Sequence, residues 1–398
     1  MMNEAMITDG KCPDFEAQMK DLLAASRERL GCAAEDIGRG ASIADWTSIS
    51  RHLVATGDDN PLYTDFQHAV ESWWCGPLAP PGFVLSILVP ESVGALYQRP
   101  FDAVELLNRI DLWWNDHIRL GERVEAHAVL AAVEQGPLVR DRATVELTTR
   151  AAYCAGSLPV AAATGVVRVH PLWLGKELIA DRTTHSYTSA EIAQIEAGLD
   201  AEPTARGPEP RWHSSVSVGD RLPSMVRGPV TWSEMLAWMV AEGRCAPAGN
   251  LRYQQLLGQP GKLRAHGATN WQFSERDKAR EDALSCAEVG FPAPGTHPAM
   301  IVALASQMLT RWIGDDAFLR HLSVSLDLPV FYGDTLFMGG RVDRKFIQVI
   351  DGREYFAVSI EVWGHNQLEQ RAFAGRAIVF LPEEGHPIQL PVQKEFRS

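Results

Sequence analysis

Residues 46–57 read WTSISRHLVATG, and residues 230–243 read VTWSEMLAWMVAEG. Each reads as a short helix behind a Ser/Thr cap, and together they announce a long-period repeat. Each is followed by a Pro/Gly-rich segment that runs into a strongly apolar one: GPLAPPGFVLSILVPESVGALY at 76–97 and GFPAPGTHPAMIVALASQMLTRWIG at 290–314. Both apolar stretches fit a buried central helix of about four turns. Next come a strand, a Gly-acid turn and a second strand, IDLWWNDHIRLGERVEAHAVL (110–130) and VSLDLPVFYGDTLFMGGRV (324–342). Long alternating strands close each half: 143–156 with 160–171, then 355–366 with 371–382. The sequence therefore predicts an α+β fold of two tandem units, each a central helix wrapped by a curved antiparallel sheet. Pairing the two sheets edge to edge would remove two exposed edges.

The repeat distance is not constant. The helix starts stand at Trp46 and Trp232, and the Gly-acid turns at Gly121 and Gly333, so the second pair is farther apart than the first. The loop-rich segment 243–267 is the expected site of the extra residues. Between the units, YTSAEIAQIEAGLD (187–200) reads as a short capped helix and AEPTARGPEPRW (201–212) as a Pro-rich linker. The expected division is residues 1–170, a connecting segment 171–210, and residues 211–398.

Composition narrows the function. The chain has 398 residues, enough for two domains, with 46% hydrophobic and 22% charged residues, which excludes disorder as its dominant state. A net charge of −13 with no basic block argues against nucleic acid or an anionic membrane as partner. No stretch approaches the roughly 20 apolar residues of a membrane span, so no membrane insertion is expected. Acids stand where a signal peptide needs basic and apolar residues. The six scattered cysteines (Cys12, Cys32, Cys75, Cys154, Cys245, Cys286) read as small buried hydrophobes in a reducing cytoplasm, with no zinc spacing.

The sharpest local signal is TGDDNPLYTD at 56–65. Gly57 permits positive φ, Asp58 to Asn60 favour side-chain-to-backbone bonds, and Pro61 fixes the exit. An acid at the edge of an apolar helix, in a low-dielectric groove, is a candidate general base. His52, His68 and His117 are read as surface residues, the first two as alternative bases. Trp73, Trp74, Trp113 and Trp114 read as apolar mass between the units. No Gly-x-Gly-x-x-Gly, Gly-x-Ser-x-Gly or His/Glu metal cluster is present, so no dinucleotide, serine-hydrolase or metal chemistry is expected.

With TGDDNPLYTD, the following histidine and alanine, and GPLAPPGFVLS, the chain resembles the MaoC-like dehydratases. More closely it resembles their double hot-dog members, whose N-terminal half is called a FAS1-like dehydratase domain. The likeness runs on through residues 206–238 and 309–326, roughly residues 30 to 382 in all. It implies a tandem hot-dog fold and the addition of water to, or its removal from, an acyl thioester, either acyl-CoA or an acyl-carrier thioester. No metal or organic cofactor is implied, CoA entering only with the substrate, in lipid metabolism; a homodimer is left open. Asp58 matches the family's catalytic Asp, and Asn60 and Pro61 its loop-shaping pair. Tyr63 stands where the family has histidine. Pro80-Pro81-Gly82 replaces the His-Gly pair that opens the helix, so the oxyanion donor falls to Gly82 or Phe83, because Pro81 has no N–H. In the second half Asn270 and His297 fall near the corresponding positions. Asp58, Asn60, Tyr63 and Gly82 are thus the expected catalytic group, with Pro81, Phe83, Asn270 and His297 at the substrate. The pocket beside Asp58 is expected to be the larger, with an apolar wall near Asn270 and Phe273. A non-catalytic acyl-thioester-binding subunit and a hot-dog thioesterase are the alternative readings.

Overall fold

The structure is a computed structural model that describes residues 15–33, 40–91, 103–139, 143–171, 183–243, 248–257, 264–265, 270, 272–273, 286 and 291–392. Cys12, Cys245 and most of the segment between 258 and 290 lie outside the described residues. Helix α1 (Phe15–Arg27) lies against the first sheet, with Met19 and Leu22 in a small satellite core. Helix α2 (Trp46–Thr56) leads to the short α3 (Pro61–Thr64) and α4 (Phe66–Glu71). A 3-10 turn, Pro81–Phe83, continues into α5 (Val84–Ile87). Four strands follow: β1 (Ala103–Trp114), β2 (Val124–Gln135), β3 (Val145–Ala155) and β4 (Leu158–Pro171). Helix α6 (Ser189–Asp200) is the capped helix read from the sequence, and its cap is a full capping box, Thr188 with Glu191. The second half holds β5 (Met225–Arg227), α7 (Trp232–Glu242), α8 (Gly249–Leu257), a two-residue ladder of β6 (Arg264–Ala265) with β7 (Gln272–Phe273), and α9 (Pro298–Ile313). It ends in β8 (Phe318–Leu326), β9 (Leu336–Ile350), β10 (Arg353–Asn366) and β11 (Arg371–Phe380).

The strands form one nine-stranded sheet in the order β2-β3-β4-β1-β8-β11-β10-β9-β5. The two halves run outward in equivalent strand order from an antiparallel seam between β1 and β8, with β5 added at the far edge of the second, so the edge-to-edge pairing read from the repeat is present. Asp111 faces Ser323 at the seam, and these two positions are as far apart in the chain as the turn glycines, Gly121 and Gly333. The pseudo-twofold axis therefore passes through this pair.

Helices α2 and α7 are the second symmetric pair and pack against each other. Gly57 and Gly243 end them in the left-handed conformation, at φ 64° and 72°, with N–H groups donating to Leu53 and Val54 or to Met239 and Val240. One of the two Ser/Thr caps expected is present. Thr231 builds a full capping box with Glu234, but α2 is capped by Asp45, whose carboxylate accepts the Ser48 N–H at 2.7 Å.

The two central helices are also unequal. Helix α9 has the four turns expected, and nearly all of its side chains are buried. Its counterpart stops at Ile87, and Leu88 is already extended at φ −156°. Pro90 limits the helix, since it has no N–H to give Ser86 O; that carbonyl accepts the Ala41 N–H instead, and Ile87 O accepts the Gly40 N–H. The cysteines also depart from expectation, since Cys286 is buried but Cys32 and Cys75 are exposed. No described helix is long and apolar enough to cross a membrane.

Candidate active site

The loop after α2 is locked by its own hydrogen bonds. Asp58 donates its N–H to Leu53 O at 2.9 Å, and its Oδ1 accepts the Asn60 N–H at 3.2 Å. Asn60 then caps α3, its Oδ1 accepting the Leu62 N–H at 3.0 Å, with Pro61 pre-set at the first helical position. The tight turn drives Asp58, Asn60 and Tyr63 inward, to 6%, 2% and 3% exposure.

What they meet is one face of the second half's helix. Ala303, Ser306, Gln307 and Thr310 on α9 are spaced i, i+3, i+4, i+7 and share a stripe. Gly82 packs against the second and third turns of this helix: a Cβ there would lie 3.3 Å from Ala303 Cα and 3.1 Å from Ser306 Oγ. Gln307 donates to Gly57 O at 3.1 Å and hydrogen-bonds the Asp58 carboxylate, while Thr310 hydrogen-bonds the Tyr63 hydroxyl. Gly82 and Asp58 thus meet the same helical face, Gly82 at Ala303 and Ser306 and Asp58 at Gln307. The four residues read as catalytic are brought together, and the second half supplies the surface that gathers them.

Burial raises the Asp58 carboxyl to about 6, against the opposing pull of the Asn60 N–H and the Arg311 cation. Tyr63 is pushed well above its usual 10, first by burial and then by the charges of Asp58 and Asp315. Its hydroxyl therefore stays protonated and acts as a donor.

Two of the three histidines read as surface groups, His52 and His117, are buried, and His68 is half-buried. His52 is 2% exposed, its Nδ1 paired with Ser86 Oγ at 2.8 Å. His117 is wedged between Trp74 and Phe318, and burial lowers it to about 3. His68 bonds Asp315 Oδ2 at 2.6 Å, tying α4 to the end of α9. Local pattern hid His52 and His117: a histidine on a helix or strand carries no mark of which neighbour covers it. Of the four tryptophans, Trp74 and Trp114 are buried and hydrogen-bonded to Asp315 O and Pro81 O, whereas Trp73 is exposed. Trp113 stacks on His321 at the seam.

Pro81 and Phe83 flank Gly82, Phe83 fully buried. His297 caps α9, its Nδ1 accepting the Ala299 N–H at 3.3 Å, and lies 3.1 Å from Glu242 and 3.4 Å from Glu91. Asn270 does not join either group; it is exposed, with φ 53°. Its neighbours Thr269 and Trp271 lie outside the described residues.

A cavity of about 330 Å³ opens beside the loop, lined by Gly57 and Asp59 but not by the Asp58 side chain. Among the described residues its apolar wall comes from Val230, Met300, Ile301, Leu304 and Leu336, and Asn270 is not part of it; the Phe273 side chain lies outside the described residues. Asp59, Glu202, Arg227 and Arg311 line its polar side. Arg227 grips Glu202 at 2.6 Å and reaches Gln307 Oε1 at 3.3 Å, and Arg311 pairs with Asp59. Sequence reading missed Gln307, Arg227 and Arg311, because Gln307 and Arg311 meet the loop from far along the chain and Arg227 reaches it only through Gln307.

No family model and no curated protein matches the sequence. Solved structures do. A protein described as a MaoC-like dehydratase is similar with a TM-score of 0.58 and 15% identity, over 89% of this chain and 99% of that one. A putative MaoC domain protein dehydratase from Chloroflexus aurantiacus gives 0.54 and 12%, over 89% and 96%. A Mycobacterium tuberculosis protein described as having a double hotdog fold gives 0.50 and 13%, over 88% and 98%. The chain has the double hot-dog fold seen in MaoC-like dehydratases, as the resemblance in its sequence implied.

Proposed function

We propose that this chain is a hydro-lyase that adds water to an enoyl thioester, or removes it from a 3-hydroxyacyl thioester, with acyl-CoA as the carrier form. The observation that carries the reading is the Asp58 carboxyl, buried against α9 and poised near 6 beside a tyrosine held protonated. A base of that strength can take a proton from water at neutral pH and return it. In the hydration direction Asp58 removes a proton from water, and the water oxygen bonds to C3. The C2=C3 π electrons move toward the thioester oxygen, giving an enolate. Asp58 then returns the proton to C2. Tyr63 donates a hydrogen bond to the water or to the acyl carbonyl, and the Gly82 N–H holds the enolate oxygen. Asn60 keeps the loop closed.

The second half supports this division of labour. The Ala299 N–H, counterpart of the Gly82 N–H at the start of the central helix, is already taken by His297 Nδ1. His297 is therefore assigned as a cap and not as a substrate ligand, and the acyl chain is assigned to the cavity walled by Met300, Ile301 and Leu304. The chemistry asks for an acid/base group and a donor, both supplied by the chain, so no metal or organic cofactor enters the proposal. Purified protein with crotonyl-CoA and with a bulkier enoyl-CoA tests it. Loss of the enoyl absorbance is expected. Release of free thiol would instead make the protein a thioesterase, and tight binding with neither change would make it a binding subunit.

A further inference from the structure

We infer that His52 is a second hydrogen-bond donor to the thioester oxygen, its Nε2–H standing beside the Gly82 N–H. The inference rests on the hydratase reading above and assigns a catalytic residue to it that the sequence motif does not contain.

The geometry is specific. A Cβ placed on Gly82 would lie 3.3 Å from His52 Nε2, so this nitrogen is turned onto the residue that offers the oxyanion N–H. The other ring nitrogen, Nδ1, is held by Ser86 Oγ at 2.8 Å. Ser86 is fully buried on α5, one turn beyond Gly82. When the Ser86 hydroxyl donates to Nδ1, the ring proton must sit on Nε2, facing Gly82. The ring is fixed edge-on by Phe83 at 6.0 Å and by Trp238 at 5.7 Å. These neighbours, like Ser306 across Gly82, carry no charge. Burial alone takes the imidazole to about 3, so it is neutral throughout the working pH range. A neutral imidazole is a poor base there but a good donor, and it brings no charge to desolvate.

The chain also needs such a donor. Pro81 offers no N–H at the helix start, so the backbone presents fewer donors there than an ordinary helix opening does. With Trp46 aligned on Trp232, the position equivalent to His52 in the second half is Trp238. The imidazole thus belongs only to the half that carries Asp58.

Two variants and one spectroscopic band decide the matter. His52→Phe keeps a ring and removes the donor; kcat for enoyl-CoA hydration should fall about 10²- to 10³-fold, the usual loss for one oxyanion donor, with little change in KM. Ser86→Ala, which leaves either tautomer open, should cost less and serves if His52→Phe does not fold. In both, the acid limb of the pH profile should stay where Asp58 sets it. The carbonyl stretch of bound butanoyl-CoA should be shifted to lower frequency in the parent protein and return toward its solution value in the variants. Unchanged kcat and an unmoved band in a folded variant overturn the assignment. An acid limb that moves also overturns it, because the imidazole would then be the base. A parent protein that hydrates enoyl-CoA while its bound carbonyl is unshifted overturns the donor and leaves the hydratase reading intact. A parent protein that neither binds nor hydrates any acyl-CoA defeats the hydratase reading itself, and the donor with it.

Discussion

The ends of α2 and α7 are built alike, yet they serve different purposes. Both helices stop at a left-handed glycine whose N–H returns to symmetry-related carbonyls. After Gly57 the chain turns inward and buries Asp58 against the opposite half's helix. Before Gly243 the buried acid is Glu242, the last helical residue, and it faces His297 at 3.1 Å. One half has an acid next to a protonated tyrosine and a helix start marked by Gly82. In the other half the helix start is closed by its own histidine. Duplication supplied two equivalent frames, and a few side chains decide which frame can do chemistry. The strongest way to break this contrast is to exchange the acids. Asp58→Asn should cut turnover by about 10² to 10⁴, the usual share of general acid–base catalysis, with binding of the thioester little changed. Glu242→Gln should leave turnover within about threefold. Equal losses in the two variants would mean that both halves work.

The same carboxyl should reveal itself in stability. Its folded value is raised from 3.8 to about 6 by burial, so ionising it costs the fold. For a carboxyl raised in this way the cost is absent below about pH 3.8 and fully developed above about pH 6. The shift corresponds to at most about 3 kcal/mol at 1.36 kcal/mol per pH unit. Asp58→Asn should therefore be more stable than the parent at pH 7 to 8, by up to that amount, and match it near pH 4. Urea unfolding across this range is the measurement. A variant less stable than the parent at pH 8 would show that the carboxylate is better paired than its burial implies. This is the stability–activity trade expected of a buried general base.

Tyr63→Phe sharpens the contrast at the next level down, since the second half offers Trp271 to Phe273 where this tyrosine would stand. Removing the hydroxyl keeps the buried ring. If it holds water or the acyl carbonyl, kcat should fall by the equivalent of one hydrogen bond, about 1–3 kcal/mol. A silent Phe together with a destabilised Ala would reduce Tyr63 to packing.

Much of this was legible in the chain. Strand alternation and the paired landmarks, Trp46 with Trp232 and Gly121 with Gly333, were enough for four strands in each half and their edge-to-edge pairing, because each is a local pattern repeated; the short edge strand β5 was not read. The loop at Asp58 was legible because its bonds are local: Asp58 to Asn60, Asn60 to Leu62. What surrounds it was not. Gln307 reaches Gly57, and Arg311 reaches Asp59, from the far half of the chain. Nothing in a sequence pattern carries such contacts. His52 misled for a related reason. On its helix it reads as a polar face, and only the arrival of Ser86, Gly82 and Trp238 makes that face interior. The short α5 was legible in principle, since Pro90 follows closely after its last residue, Ile87.

The smallest effect isolates the frame from the chemistry. Gly57 and Gly243 both have φ in the left-handed region, and a Cβ on Gly57 would meet nothing within 4 Å. Alanine at position 57 therefore meets no clash, and only the backbone resists it, by about 1–2 kcal/mol. Gly243→Ala should cost a similar amount of stability, because its φ of 72° is close to 64°. The two should part in turnover. A shift of the chain at Gly57 moves Asp58 directly, and small misplacements of a catalytic group are costly. A shift at Gly243 moves no residue assigned to the reaction. Gly57→Asn should recover part of the loss, since asparagine tolerates left-handed backbone better than alanine. Urea unfolding and enoyl-CoA turnover measured on the same three variants make the test. Equal stability losses with unequal turnover support the one-sided site, whereas turnover that follows stability in all three would show that the frame, and not the placement of Asp58, limits the rate.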